Sequence, residues 1–101
     1  GNRNTAVGLG TLQSNTTSDN SAFGYLALYV NTIGTGNTAI GTYSLAGNTI
    51  GTANTAVGRS ALQSNTIGNN NTAVGLSALL SNTIGTNNTA VGHQSYYFVK
   101  R

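Results

Sequence analysis

The chain contains no cysteine, proline, methionine or tryptophan, and only 5% of its residues carry a charge. Each absence removes a class of explanation. Without cysteine there is no disulfide framework and no thiol redox chemistry, so cysteine usage leaves the compartment open. Without methionine, Gly1 is not a translation start, and the expectation is a processed chain or a piece of a longer one. Asp19 is the one acidic residue and His93 the one imidazole. Catalysis needs several positioned acids, bases or nucleophiles, so no enzyme activity is expected. One carboxylate cannot supply the oxygen ligands of calcium, and neither a metal nor a cofactor is expected. The cations Arg3, Arg59, Lys100 and Arg101 are scattered apart from the final pair, whereas a nucleic-acid surface shows a basic stripe or patch. The longest mostly apolar run, Tyr25 to Val30, is far too short to span a bilayer, so no membrane insertion is expected in this segment. The start of the chain lacks the succession of charged, apolar and small residues that marks a signal peptide.

What is present is Gly, Asn and Thr, with aliphatic residues at regular intervals. The phrase N-T-A-V-G and its variants begin at Asn4, Asn20, Asn37, Asn54, Asn71 and Asn88, with steps of 16, 17, 17, 17 and 17 residues. A fixed period decides architecture before any local reading of secondary structure. The unit is N-[TS]-A-[VIF]-G-x-x-small-L-x-x-N-T-I-G-x-x. Its two Gly residues, its β-branched residues and the lack of a 3.6-residue rhythm argue against helix. The pattern predicts an all-β chain, a parallel β-solenoid or β-roll of six coils with two short strands each. One strand falls around T-A-V, the other around L-x-x-N-T-I, and Gly-containing segments make the corners. Residues 1–95 form the repeat domain; residues 96–101 form an atypical cap or the start of a following segment.

Stacked coils place each side chain over its counterpart about 4.8 Å away. A charged column would repel itself, at about 1 kcal/mol per like pair even in water, which explains the scarcity of charge. Arg3 and Asp19 fall in one column with opposite signs. Asn suits such a column because stacked amides hydrogen-bond along it. Asn20, Asn37, Asn54, Asn71 and Asn88 are therefore expected to form a ladder, and so are Asn15, Asn31, Asn48, Asn65 and Asn82. Three aliphatic columns are expected to fill the core. They are Val7, Phe23, Ile40, Val57, Val74 and Val91; Leu12, Leu28, Leu45, Leu62 and Leu79; and Thr17 followed by Ile33, Ile50, Ile67 and Ile84. Successive strand residues face opposite sides. If Val points inward, then Ala6, Ala22, Ala39, Ala56, Ala73 and Ala90 point outward as a smooth strip, expected to be a subunit interface.

The phrases N-T-A-V-G and N-T-A-I-G resemble the head repeats of trimeric autotransporter adhesins (YadA-like heads), and similar repeats occur in phage tail-fibre and bacterial surface-fibre proteins. The resemblance covers nearly the whole chain. It implies a left-handed parallel β-roll, three chains side by side, and an extended structure used for attachment on a cell surface or a virion tail. It also implies that the paired small and aliphatic positions, Ala39 with Ile40, Ala56 with Val57 and Ala73 with Val74, build the roll core and the trimer interface.

Two departures from the repeat carry further expectations. Tyr25 and Tyr29 with Phe23 in the second coil, and Tyr43 in the third, could contact a ligand, since tyrosine rings stack on sugars while the hydroxyl hydrogen-bonds. A host-surface protein or a glycan is the partner class. At the end, Tyr96, Tyr97 and Phe98 replace the expected A-L-x-x-N-T-I and could mediate end-to-end contact. The expected function is thus a non-enzymatic, extracellular structural or adhesive fibre segment, a homotrimer. The alternatives are a subunit of an end-to-end filament and, less favoured, an ice-binding solenoid, since no strand is expected to offer an outward T-x-T pair.

Overall fold

The structure is a computed structural model, and it describes residues 2–95. Six three-residue strands run in one parallel sheet in sequence order. They are β1 (Thr5–Val7), β2 (Ser21–Phe23), β3 (Thr38–Ile40), β4 (Thr55–Val57), β5 (Thr72–Val74) and β6 (Thr89–Val91). Every strand pairs only with its neighbours, and register is strict: Ala6 faces Ala22, Ala22 faces Ala39, and so on to Ala90. The chain is therefore the expected β-solenoid, each coil supplying one rung, with no helix among the described residues. The stack measures 32 × 21 × 16 Å.

The second strand expected in each coil is not formed. A strand sends successive N–H groups to opposite sides, but in the T-I-G segment three in a row converge on one acceptor. The amides of Thr32, Ile33 and Gly34 donate to the Thr49 carbonyl at 2.9, 3.3 and 3.3 Å, and Thr49, Ile50 and Gly51 repeat this on Thr66. That convergence bends the backbone while still joining coil to coil. The segment after the Gly corner is a run of overlapping turns: Ala27 donates to Gly24, Tyr29 to Leu26 and Asn31 to Leu28. In between, Leu28 donates to Ser44 of the next coil and Leu45 to Ala61. Inter-coil hydrogen bonds thus run along every side of the solenoid, although only one side is a strand.

Short coils need sharp corners, and here they are made by backbone of positive φ. Gly41 and its counterparts lie at φ 123–130°, out of reach of other residues, and a Cβ on Gly41 would stand 2.7 Å from the Gly58 carbonyl carbon. Three further corners per coil use left-handed conformations in ordinary residues. The Leu column is one, with Leu28 at φ 50°, Leu45 at 50° and Leu62 at 52°. Such a conformation costs roughly 1–2 kcal/mol per residue. Full burial of a leucine returns about 1.5–3 kcal/mol, so the corner persists as long as the leucine stays inside.

The core differs from expectation in which residues it holds. Ala22, Ala39, Ala56 and Ala73 are fully buried, together with Leu28, Leu45, Leu62 and Leu79 and the small residues Ala27, Ser44, Ala61 and Ala78. Leu12 packs against this cluster from the first coil. The Val column faces out: Val7 is 56% exposed, Ile40 41% and Val91 68%, with Phe23 exposed and Val57 and Val74 half-buried. The Ile column is outside as well, with Ile33 58% exposed and Ile50, Ile67 and Ile84 similar. The reason is period two. The first Asn of each unit points inward, so the Ala two residues on does too, and Val between Ala and Gly must face away. At the other end of the coil, the tight T-I-G bend turns Ile outward and puts Gly34, Gly51, Gly68 and Gly85 inside.

The first coil is shorter because it omits the Ile position. Asn15 donates to the Thr17 carbonyl two residues on, whereas Asn31 donates to Gly34 three residues on. Thr17 therefore stands in line with Gly34 and not at the head of the Ile33 column, where the repeat period puts it.

The corner that closes each coil supplies a stability test. It holds Asp19, Gly36, Ala53, Asn70 and Asn87, all at φ between 56° and 67°. Asn, Asp and Gly tolerate that region and Ala does not. Ala53→Asn and Ala53→Gly should each raise the free energy of unfolding by about 0.5–1 kcal/mol in denaturant titration. Lower midpoints for both would contradict the left-handed corner.

Candidate interaction surface

The interior is organised by amides. In the second Asn column, Asn31 Nδ2 donates to Asn15 Oδ1 at 2.7 Å, Asn48 to Asn31 at 2.7 Å, Asn65 to Asn48 at 2.8 Å and Asn82 to Asn65 at 2.9 Å. Each of these Nδ2 groups also donates within its own coil to a Gly carbonyl, as Asn48 does to Gly51 at 3.0 Å. The first Asn column works differently. The Oδ1 atoms of Asn20, Asn37, Asn54 and Asn71 accept the backbone N–H of the next Asn in the column, at 2.9–3.0 Å. Their Nδ2 groups reach the same Gly carbonyls, Asn37 meeting Gly51 at 2.8 Å and Asn54 meeting Gly68 at 2.8 Å. Asn20, Asn37, Asn54 and Asn71 are fully buried, and Asn88 is half-buried at the far end.

The Gly carbonyl is thus a hub between the two ladders, which sequence reasoning did not identify. A Cβ on Gly51 would overlap the Asn48 amide oxygen and the Gly68 carbonyl. The paired spacing of N-T-I-G and the next N-T, with Gly between two Asn columns, was the available signal.

The Ala column, expected to be a subunit interface, lies inside the coil from Ala22 to Ala90, with Ala6 exposed in the first coil. Two other faces of the coil point outward. The strand face carries a Thr column beside the Val column, as Thr38 with Ile40, Thr55 with Val57 and Thr72 with Val74, and no charged side chain lies on any strand. The second face is the Ile ridge, bordered by Thr32, Thr49, Thr66 and Thr83. The hydroxyls of Thr32, Thr49 and Thr66 donate to backbone carbonyls of the next coil at 3.2–3.3 Å, so these bonds are made within the stack.

The three candidate ligand tyrosines lie near one corner, beside the strand face. Tyr25 and Tyr43 form an edge-to-face pair with ring centroids 5.7 Å apart and an interplanar angle of 69°. Tyr29 is half-buried, and its ring and the Leu26 side chain both approach Gly10 of the coil before. Tyr96, Tyr97 and Phe98, named for end-to-end contact, lie outside the described residues.

Charge takes little part. Arg3 and Asp19 meet across one rung, with Arg3 Nε 2.6 Å from Asp19 Oδ1 and Nη2 3.1 Å from Oδ2. The hydrogen bond from Arg3 holds the Asp19 carboxyl below its ordinary range, with the guanidinium charge adding to it and desolvation opposing. The depressed value means that this contact contributes above the unfolded carboxyl value and fades as pH falls through the folded one. His93 sits in the last described coil, at the opposite end from this pair. Among the described residues no cluster of three His, Cys, Asp or Glu side chains occurs.

The ladders set a sharp test. Asn48→Asp keeps an acceptor for Asn65 but loses both donations, and it sets a carboxylate against the Asn31 amide oxygen and the Gly51 carbonyl. Breaking a buried polar network in this way should cost about 3–5 kcal/mol at neutral pH. Burial and the two facing acceptors raise the folded-state value of the new carboxyl above its unfolded value of about 3.9. Stability should therefore return in part below that unfolded value and be lost as pH rises through the folded one. Asn70→Asp, on the exposed corner, should leave thermal unfolding nearly unchanged; equal losses at both sites would refute the ladder.

Comparison with protein-family models, with characterised proteins and with solved structures gives no significant match.

Proposed function

We propose that the chain is a non-enzymatic structural segment of an extracellular fibre, of the kind found in bacterial surface adhesins or phage tail fibres, and that copies pack side by side through the strand face. The observation that supports this most is the outward Val column. Six rungs, each setting Val, Ile or Phe beside Thr (Ser21 in β2), form an in-register, uncharged surface with a continuous apolar column on a coil whose own core is mostly Ala, Leu and Asn. Contiguous exposed apolar surface of this kind marks an interaction site in a soluble protein. A straight stack offers the same face at every rung, so a second copy aligned with the axis can cover all of it at once. The resemblance of N-T-A-V-G to YadA-like head repeats favours three copies.

This reading puts the interface on the Val column rather than on the Ala column. Ile40→Asp combined with Val74→Asp places charges on the outer face two rungs apart, so that they do not stack on one another and the fold of the single chain tolerates them. Sedimentation equilibrium should then show a trimer for the parent chain and a monomer for the double variant, with the circular dichroism spectrum retained. A parent chain that remains monomeric into the hundreds of micromolar would sink the proposal. Ala56→Asp, by contrast, buries a carboxylate and should abolish folding.

A further inference from the structure

A repeat that gives every rung the same chemistry can carry a single-site function only where the pattern breaks. The clearest break is the corner just beyond the strand face in the first four coils. Gly10, where Ser60 and Ser77 stand in later coils, leaves the space that Leu26 and Tyr29 occupy: a Cβ at Gly10 would lie 2.5 Å from Leu26 Cδ2 and 3.4 Å from Tyr29 Cδ1. Leu26 in turn underlies a corner that presents Tyr25, 44% exposed, and its edge-to-face partner Tyr43 from the next coil. Neither phenol hydroxyl hydrogen-bonds to a described residue. One coil further on, Arg59 is exposed in the column of Tyr25 and Thr42, and its neighbour Ser60, which follows Tyr43 in the adjacent column, donates its N–H to the Thr42 carbonyl. Among the described residues the only ion pair is Arg3 with Asp19, so the chain's single carboxylate side chain is already committed elsewhere.

We propose that this corner binds an acidic oligosaccharide running along the stack, with a sugar ring against Tyr25 and Tyr43 and a sugar carboxylate on Arg59. The C–H faces of a sugar pack on exposed aromatic rings while its hydroxyls meet the phenols and Thr42. Rungs stand about 4.8 Å apart, close to the width of one sugar ring, so consecutive rings fall over consecutive coils. The guanidinium supplies a planar fork matched to a carboxylate, and no acidic side chain nearby competes for it. The corner flanks the strand face rather than lying in it, so the inference stands whether or not copies of the chain associate.

The test is a calorimetric or NMR titration of the full chain with tetragalacturonate and with its fully methyl-esterified, uncharged form. Saturable binding of the acid is expected, with the ester bound several-fold more weakly. Tyr25→Ala and Tyr43→Ala should each weaken binding about 10-fold, the equivalent of ~1.4 kcal/mol. Arg59→Gln should bring the acid down to the affinity of the ester and leave ester binding as it was. All three side chains are outside the core, so an unchanged unfolding midpoint certifies that the variants are folded. Absence of binding by either probe at millimolar concentration would overturn the proposal, as would equal binding of acid and ester by the parent chain or variants that bind like the parent. Sedimentation reads the assembly separately, so failure here is distinguishable from failure of the fibre reading.

Discussion

Everything in this fold hangs on an amide that has been taken out of water and given a full set of partners. A buried side-chain amide left short of a donor or acceptor costs about 1–3 kcal/mol, and this stack buries two of them per coil. It resolves the problem by repetition. Asn48 is satisfied from below by Asn31, from above by Asn65 and from within its own coil by Gly51. No coil can achieve that alone, because two of those three partners belong to its neighbours. The same logic holds for Asn54, which needs Asn71 above it and Gly68 beside it. A solitary coil would thus bury polar groups without compensation, which makes stacking a condition of folding rather than a consequence of it.

The ladders also dictate what surrounds them. The carbonyl that receives both amides must come close to each; Thr17 supplies it in the shortened first coil, and in the longer coils a Cβ at Gly34, Gly51 or Gly68 would overlap the Asn amide and the next carbonyl. With two asparagines and a glycine on the inside, little cross-section remains for apolar side chains, and one leucine with small residues fills it. The larger aliphatics are then displaced to the surface. In a free-standing domain that arrangement would be costly in solubility, and association through the exposed face would remove the cost. The exposed valines and the buried asparagines are therefore two results of a single constraint.

The sequence disclosed the architecture through its period and the ladders through residue type, since Asn stacked in register has few other uses. It did not disclose facing, and the error is instructive. The Asn ladder and a Val core cannot both be inside: Asn37 and Ala39 share one side of β3, and Ile40 takes the other. The two expectations conflicted under strand alternation alone, and preference for hydrophobicity at the core concealed the conflict. The missing second strand was less accessible. L-x-x-N-T-I is rich in β-branched residues, and nothing in its composition tells that three successive amides will share the Thr49 carbonyl. The left-handed corners went unread: residue type offers a signal at Asn70 and Asn87 and none at Leu28 and Leu45, where burial overrides the backbone preference of the residue.

Because each coil must satisfy the one before it, inward positions are locked and outward positions are free. The second Asn column admits nothing else from Asn15 to Asn82, whereas the column of Tyr25 runs on through Thr42, Arg59 and Leu76. Variation is thus confined to side chains that the fold does not need. In a protein built this way chemical identity is written on the corners, and a distinctive surface arises wherever neighbouring rungs differ. Tyr25, Tyr43 and Arg59 are three consecutive departures on one side of the stack, and the amide ladders hold them at fixed rung spacing. A scaffold with no mobile pocket can still present a defined site, because the spacing that satisfies the asparagines also sets the distance between whatever the corners carry.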